Sequence, residues 1–365
     1  MGWLDVRTIS RFQWVSIHVL SLPIMGHVIL IEPLIHTAGK DGWISALISI
    51  PAGILFVLLL TILRSKIPNT SLLTGTFEIA GRATAVILSV ILIAYFSFAS
   101  VTTLRGFEEF VKITFLPETP LWAIGTGFMF LIWFSLQRNI ESIARMAVIF
   151  FLMTMITGPI VGLTLMQEKD YTRILPILDN GWGPVLEGSL YFIALWGELI
   201  LVLLLQSKWV GKRHDFNGFS FLILFNVFLG ASMLMSAIAV FGLPLSEKLD
   251  WPVQNTVRQI KLGFISRGDI YGLYTMTAGC FIRVTVFLYA ICECLAFLFS
   301  TTYKKLSLPV CLAALLLSLL VFSNHQQLLQ TNHAYYKYGY VLLLLPIFLL
   351  ILFWIKRGKA VENHG

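Results

Sequence analysis

Apolar residues run in long, nearly uninterrupted blocks along this chain, with polar and charged residues confined to the short gaps between them. A block of about 20 apolar residues crosses a bilayer as one helix. Ten such blocks are legible, at about 12–32, 43–63, 84–104, 121–136, 143–166, 184–206, 216–243, 270–299, 308–323 and 335–355. The third and eighth look longer than the bilayer is thick, which tilt accommodates. The expectation is a single all-α membrane domain, 1–365, of about ten helices.

Composition removes the main alternative. Hydrophobic residues make up 57% of the 365 and charged ones 12%. Mean hydropathy is +0.83. Soluble domains carry about a quarter charged residues, so lipid is the solvent for most of this chain. The net charge of +7 would suggest nucleic acid in a soluble protein. Here the basic residues orient the helices instead. With the N-terminus in the cytoplasm, Arg7, Arg11, Arg64, Lys66, Arg82, Arg138, Arg145, Lys208, Lys212, Arg213, Lys304, Lys305, Lys356, Arg357 and Lys359 all fall inside, more than half of the 26 Lys and Arg. Both termini are then cytoplasmic. The first run lacks a cleavage site of the A-x-A type and is expected to stay as helix one. Cys280, Cys292, Cys294 and Cys311 form no CxxC pair and lie in or beside apolar runs, which suggests reduced, packed thiols. Two outer loops, about 167–183 and 244–269, carry charge with Pro176, Trp182, Trp251 and Pro252. They serve either as functional lids or as covers for helix ends.

Polar residues inside the apolar blocks are the candidate chemistry. Glu198 sits deep in helix six, in Ala194-Leu195-Trp196-Gly197-Glu198. At mid-membrane it must be neutral, paired or facing a polar cavity, and Gly197 weakens the helix beside it. Helix one holds Pro23, Gly26 and His27, a second place where the helix can break. Freed N–H groups there can hold a carboxylate, and freed carbonyls a cation. Broken helices one and six, five apart, fit a 5+5 inverted repeat with a midplane binding site. Arg283 is central in helix eight, with Thr285, Tyr289 and Glu293 nearby. Glu198 is its obvious counter-charge. Arg283 stands in for a bound sodium ion, faces an outer vestibule and binds a substrate carboxylate, or forms a purely structural pair. Tyr95 and Phe98 lie on helix three, and Tyr95 either lines a pocket or merely packs. Arg105, Glu108 and Glu109 read as a solvated helix end. Gly125-Thr126-Gly127 reads as a small-residue patch for helix contact. No nucleophile elbow, Walker loop or zinc-spaced His/Glu pair occurs, so no enzyme, metal or cofactor is expected.

Several short segments, in this order and spacing, carry a resemblance. They are Ile9-Ser-Arg-Phe-Gln13, Asp41-Gly-Trp43, Tyr95 with Arg105, and Leu175-Pro176 followed by Gly181-Trp-Gly-Pro184. Gly197-Glu198, Trp251-Pro252, Arg258 and Phe264-Ile-Ser-Arg-Gly-Asp269 complete the series. From about residue 8 to 357 the chain resembles the B subunit of the bacterial spore germinant receptors, within the amino acid–polyamine–organocation superfamily. The resemblance implies a LeuT-like ten-helix core. It implies a sensor of a small germinant, typically an amino acid, in a midplane pocket formed by Pro23, Gly26, His27, Tyr95, Phe98, Leu195, Trp196, Gly197, Glu198, Arg283 and Tyr289. It also implies a membrane-anchored A subunit and a C-subunit lipoprotein as partners, in the spore inner membrane. Val28, Trp196 and Arg283 depart from the family pattern; the first two are expected to shrink the pocket and the third to add a charge. A proton-coupled amino-acid permease, with Glu198 or His27 carrying the proton, and a structural scaffold are the competing expectations.

Overall fold

The computed structural model describes residues 9–22, 27–67, 71–205, 216–260 and 268–362. Every regular element among them is a helix. Eight helical runs are long and apolar enough to cross a membrane, and Leu121–Gln137 is a shorter apolar helix. The chain is an integral membrane protein.

Helix one starts at Arg11 because Ser10 and Gln13 form a capping box. Ser10 Oγ accepts from the Gln13 amide at 3.3 Å, and Gln13 Oε1 from the Ser10 amide at 2.9 Å. Two orphan donors of the first turn are satisfied reciprocally. The α-helix runs to Val19 and widens into a π-type turn over 20–22. A second segment, His27–Ala38, continues to the end of the bundle expected to be outer. Gly39 then takes φ +56°, a left-handed conformation that favours glycine, and helix two begins at Gly42. A Cβ on Gly42 would lie 2.7 Å from Leu234 and 3.2 Å from Leu34. Asp41 is buried and accepts from the Leu178 amide at 3.1 Å. The Asp41-Gly42 pair therefore joins helix two to the 167–183 loop and lets helix seven approach. Helix two kinks at Ser49, where Pro51 in the following segment Ile50–Lys66 has no amide to donate.

Helix three, Arg82–Thr114, and helix eight, Asp269–Phe299, are the two long helices, and they pack along each other. Helix three continues ten residues beyond its expected end. Arg105, Glu108 and Glu109 are not a solvated helix end: their exposures are 4%, 0% and 5%. Arg105 Nε donates to Glu109 at 2.7 Å, and Arg105 Nη1 donates to the Ser318 carbonyl at 3.0 Å. Ser318 lies in the last turn of helix nine, Tyr303–Val321, whose final carbonyls have no intrahelical partner. These charges are buried because they cap a neighbouring helix.

Helix six runs Trp182–Trp196, tightens into a 3-10 turn over Gly197–Ile200, and resumes over Leu201–Leu204. Helix ten is irregular too. It begins at His325, ten residues before its expected start, and passes through a 3-10 stretch at Gly339–Leu343 before Leu344–Glu362. The two 3-10 stretches face each other. A Cβ on Gly339 would lie 3.0 Å from that of Ala194, and a Cβ on Gly197 3.3 Å from that of Leu342. A short helix not expected from the sequence, Leu72–Ala80, fills the link between helices two and three.

Small residues set the spacing between helices, as lipid supplies no hydrophobic drive for association. A Cβ on Gly125 would meet Glu108 Oε1 at 2.3 Å and Leu315 at 2.7 Å, whereas nothing lies within 4 Å of one on Gly127. Gly125→Leu is expected to destabilise the folded protein by about 1–3 kcal/mol, and Gly127→Leu to leave it unchanged. Thermal unfolding in detergent, read by size-exclusion fluorescence, checks the contrast.

Candidate functional site

Four spanning helices converge on one guanidinium. Arg283 Nη1 donates to Glu198 Oε2 at 2.5 Å, and Nη2 to Glu198 Oε1, so the two planar groups meet as a bidentate fork. Nη1 also donates to the Ser21 carbonyl at 2.7 Å, and Nε to Thr103 Oγ1 at 3.0 Å. The guanidinium carbon lies 4.8 Å from the centre of the Phe287 ring. Arg283 thus ties helix eight to the turn in helix one, to helix three and to the 3-10 turn of helix six. Both charged side chains are 1% exposed.

The local geometry follows from the sequence. A π-type turn misaligns the regular ladder, and it puts the Ser21 carbonyl where a donor can reach it. Gly197 lets helix six tighten close to helix ten. Desolvation of two charges is costly, and excellent geometry with further hydrogen bonds to the ions is the condition under which such a pair persists. Arginine meets that condition better than lysine, because its fork holds several acceptors at fixed angles.

An aromatic wall stands beside the pair. Tyr95 is 7% exposed, with its hydroxyl 3.6 Å from where a Cβ on Gly197 would be. Its ring lies 6.1 Å from Tyr335, and Phe98 lies 4.7 Å from the same ring. The buried hydroxyls of Tyr95 and Tyr335 make no hydrogen bond of good geometry. Tyr336 follows on helix ten, buried and stacked with Tyr191 at 6.4 Å. Tyr191 accepts or donates to Thr37 at 3.0 Å and His333 at 2.7 Å, linking helices one, six and ten.

Tyr95, Phe98, Gly197, Glu198 and Arg283 are brought together. Leu195 is fully buried in the core. Trp196 turns away, and its Nε1 donates to the Ser49 carbonyl at the kink of helix two, at 3.3 Å. The indole fills the gap above Gly53, 3.1 Å from where a Cβ would stand, so its bulk is spent between helices two, six and seven. Tyr289 lies about 9 Å further along helix eight, where it donates to Glu293 at 2.5 Å and packs on Tyr303. Pro23, Gly26 and the side chains of His27 and Val28 lie outside the described residues, as do Lys208, Lys212, Arg213 and Phe264–Arg267. The sequence reading missed Ser21, Thr103, Tyr335 and Tyr336. The last two sit in a polar stretch, His333-Ala-Tyr-Tyr-Lys-Tyr338, whose paired tyrosines were the available signal.

A bundle whose first and sixth helices change winding around a buried ion pair has the architecture of the ten-helix transporter fold. The solved structure of the transporter Mhp1, of the nucleobase–cation–symport-1 family, in a closed conformation with bromovinylhydantoin bound, matches 89% of this chain and 74% of its own, at a TM-score of 0.60 and 13% identity. The fold is LeuT-like. Within that class the family model described as spore germination protein matches residues 8–327, and the chain belongs to this family. Spore germination protein XB of Bacillus anthracis is 24% identical over 96% of this chain and 99% of its own length. Spore germination protein KB of Bacillus subtilis (strain 168) is 25% identical, with 93% and 94% covered.

The clamp makes a direct prediction. Arg283→Met strands a buried carboxylate and is expected to cost about 3–5 kcal/mol. Arg283→Lys keeps the charge but loses the fork, and should fall between that variant and the parent. Denaturation of the three proteins in detergent checks the order.

Proposed function

We propose that this permease-like membrane protein is the germinant-sensing subunit of a spore germination receptor. In this reading it binds a small nutrient, an amino acid, against Tyr95, Phe98, Gly197, Glu198 and Arg283. It sits in the spore inner membrane with both termini in the cytoplasm, and it signals to a membrane-anchored A subunit and a C-subunit lipoprotein. The observation that carries the reading is the Arg283–Glu198 fork, joined to the turn of helix one, in a chain of the spore germination protein family.

The fork explains why a transporter fold would serve as a sensor. A symporter needs a cation that enters and leaves, and a proton-coupled permease needs a carboxylate that gains and loses its proton. Here a fixed guanidinium neutralises Glu198 and already holds the helix-one carbonyl. The charge cannot leave with a substrate. A ligand carboxylate can instead compete with Glu198 for one arm of the fork, loosening helix six from helix eight. The ligand shifts the equilibrium by its differential affinity for the clamped and released states. Relatives named as spore germination proteins support the setting.

Spores carrying Glu198→Gln, with protein level checked by immunoblot, are to be tested for germination with amino acids, sugars and nucleosides. The glutamine amide oxygen can still accept from Arg283, so the expected outcome is detectable protein with loss of one nutrient response relative to the amount of receptor present, and the same response weakened by Tyr95→Ala. Normal responses at normal protein level refute the assignment. Uptake of labelled amino acid into vesicles, abolished by Glu198→Gln, would favour the permease.

A further inference from the structure

We propose a second site, a binding site for a divalent first-row metal ion of the zinc type, formed by Glu32, Asp250 and His325 at the end of the bundle away from the Leu72–Ala80 helix. Three separate elements supply them. Glu32 is in the second segment of helix one, Asp250 precedes the short helix Pro252–Arg258, and His325 opens helix ten. One donor atom from each lies within 4.8 Å of the others. His325 Nε2 is 3.7 Å from Asp250 Oδ1 and 4.0 Å from Glu32 Oε1.

The imidazole is oriented as a metal ligand is. Its Nδ1 lies 2.6 Å from Glu109 Oε2, and Glu109 is itself held by Arg105 at 2.7 Å. Trp251 lies against the ring at 4.7 Å. With Nδ1–H donated to Glu109, Nε2 presents a lone pair. That nitrogen is buried and has no hydrogen-bond partner. With the imidazole and both carboxylates deprotonated at these atoms, a lone pair and two carboxylates converge on one point, three acceptors with no donor among them. A cation between them removes the conflict. Zinc bonds of about 2.0–2.2 Å to nitrogen and oxygen require these pairs to tighten modestly, and Asp250 can supply the movement because its side chain is 54% exposed. The nitrogen ligand argues against calcium and magnesium, which take oxygen. Glu32 and His325 line a cavity of about 20 Å³ beside Trp251, and Asp250 and Trp251 also line a neighbouring cavity of about 280 Å³. Sequence spacing gives no sign of the site, since only the fold unites its three residues.

A metal here would staple helix one to helix ten and to the 243–260 connection. Metal occupancy and the position of helix one's second segment are then linked, because an ion that binds only this arrangement stabilises it. The site does not depend on the sensing role.

The test uses the full chain purified in detergent, stripped with chelator and dialysed against zinc, with bound metal measured by mass spectrometry. One zinc per chain is expected, with a rise in unfolding temperature that chelator reverses. Cobalt in its place should give visible absorption bands. Asp250→Asn, an exposed change that leaves the core intact, should lower the affinity and abolish the cobalt bands. Glu109→Gln, which acts on the metal through the ring and not as a ligand, should weaken binding about 10–100-fold. Zinc bound equally by Asp250→Asn and parent overturns the proposal. So does a parent chain that takes up no zinc and gives no cobalt bands, in which case His325 is an imidazolium between its carboxylates.

Discussion

A charge buried in an apolar bundle must be answered by another charge, and much of this structure is arranged to provide that answer. Arg283 and Glu198 are each 1% exposed. Either one left ionised there alone costs the fold about 3–5 kcal/mol. The remaining donors of the guanidinium reach Ser21 and Thr103, so the same requirement fixes where helix one turns and how helix three lies on helix eight. Gly197 and Gly339 follow from it, because helices six and ten must come close enough to shut water out.

Under the proposed sensing role, the constraint also distinguishes this chain from a pump built on the same fold. In this chain the charge is covalently attached to helix eight and engages four helices together. A guanidinium keeps its proton, so the clamp opens by exchange of partners. Such a clamp suits the sensing role proposed above, in a chain whose relatives are named as spore germination proteins.

Spans, their order and the central pair were legible in the sequence, because a block of apolar residues has few alternatives in lipid and a lone Glu and Arg in such blocks must find each other. Burial by pairing across helices was not legible. Arg105, Glu108 and Glu109 look like a wet helix end until the last turn of helix nine is placed beside them. The stretch 325–334 falls outside the expected helix ten because it is polar, yet one face of the helix it forms packs inside, with Asn332 4% exposed and Tyr336 2%, while Gln326 and Gln330 face outward. Trp196 adjoins Glu198 in sequence, yet successive helical residues point in different directions, and its indole serves helix two. Hydropathy reports what a residue is, whereas these features depend on what it meets.

The most direct test of the central claim is a double-mutant cycle on Glu198→Gln, Arg283→Met and the two together, with unfolding free energies measured in the same detergent. The account predicts that the double variant loses much less stability than the two single losses added, with a coupling of about 2–3 kcal/mol. Additive losses would mean that the two side chains do not depend on each other, and would contradict it.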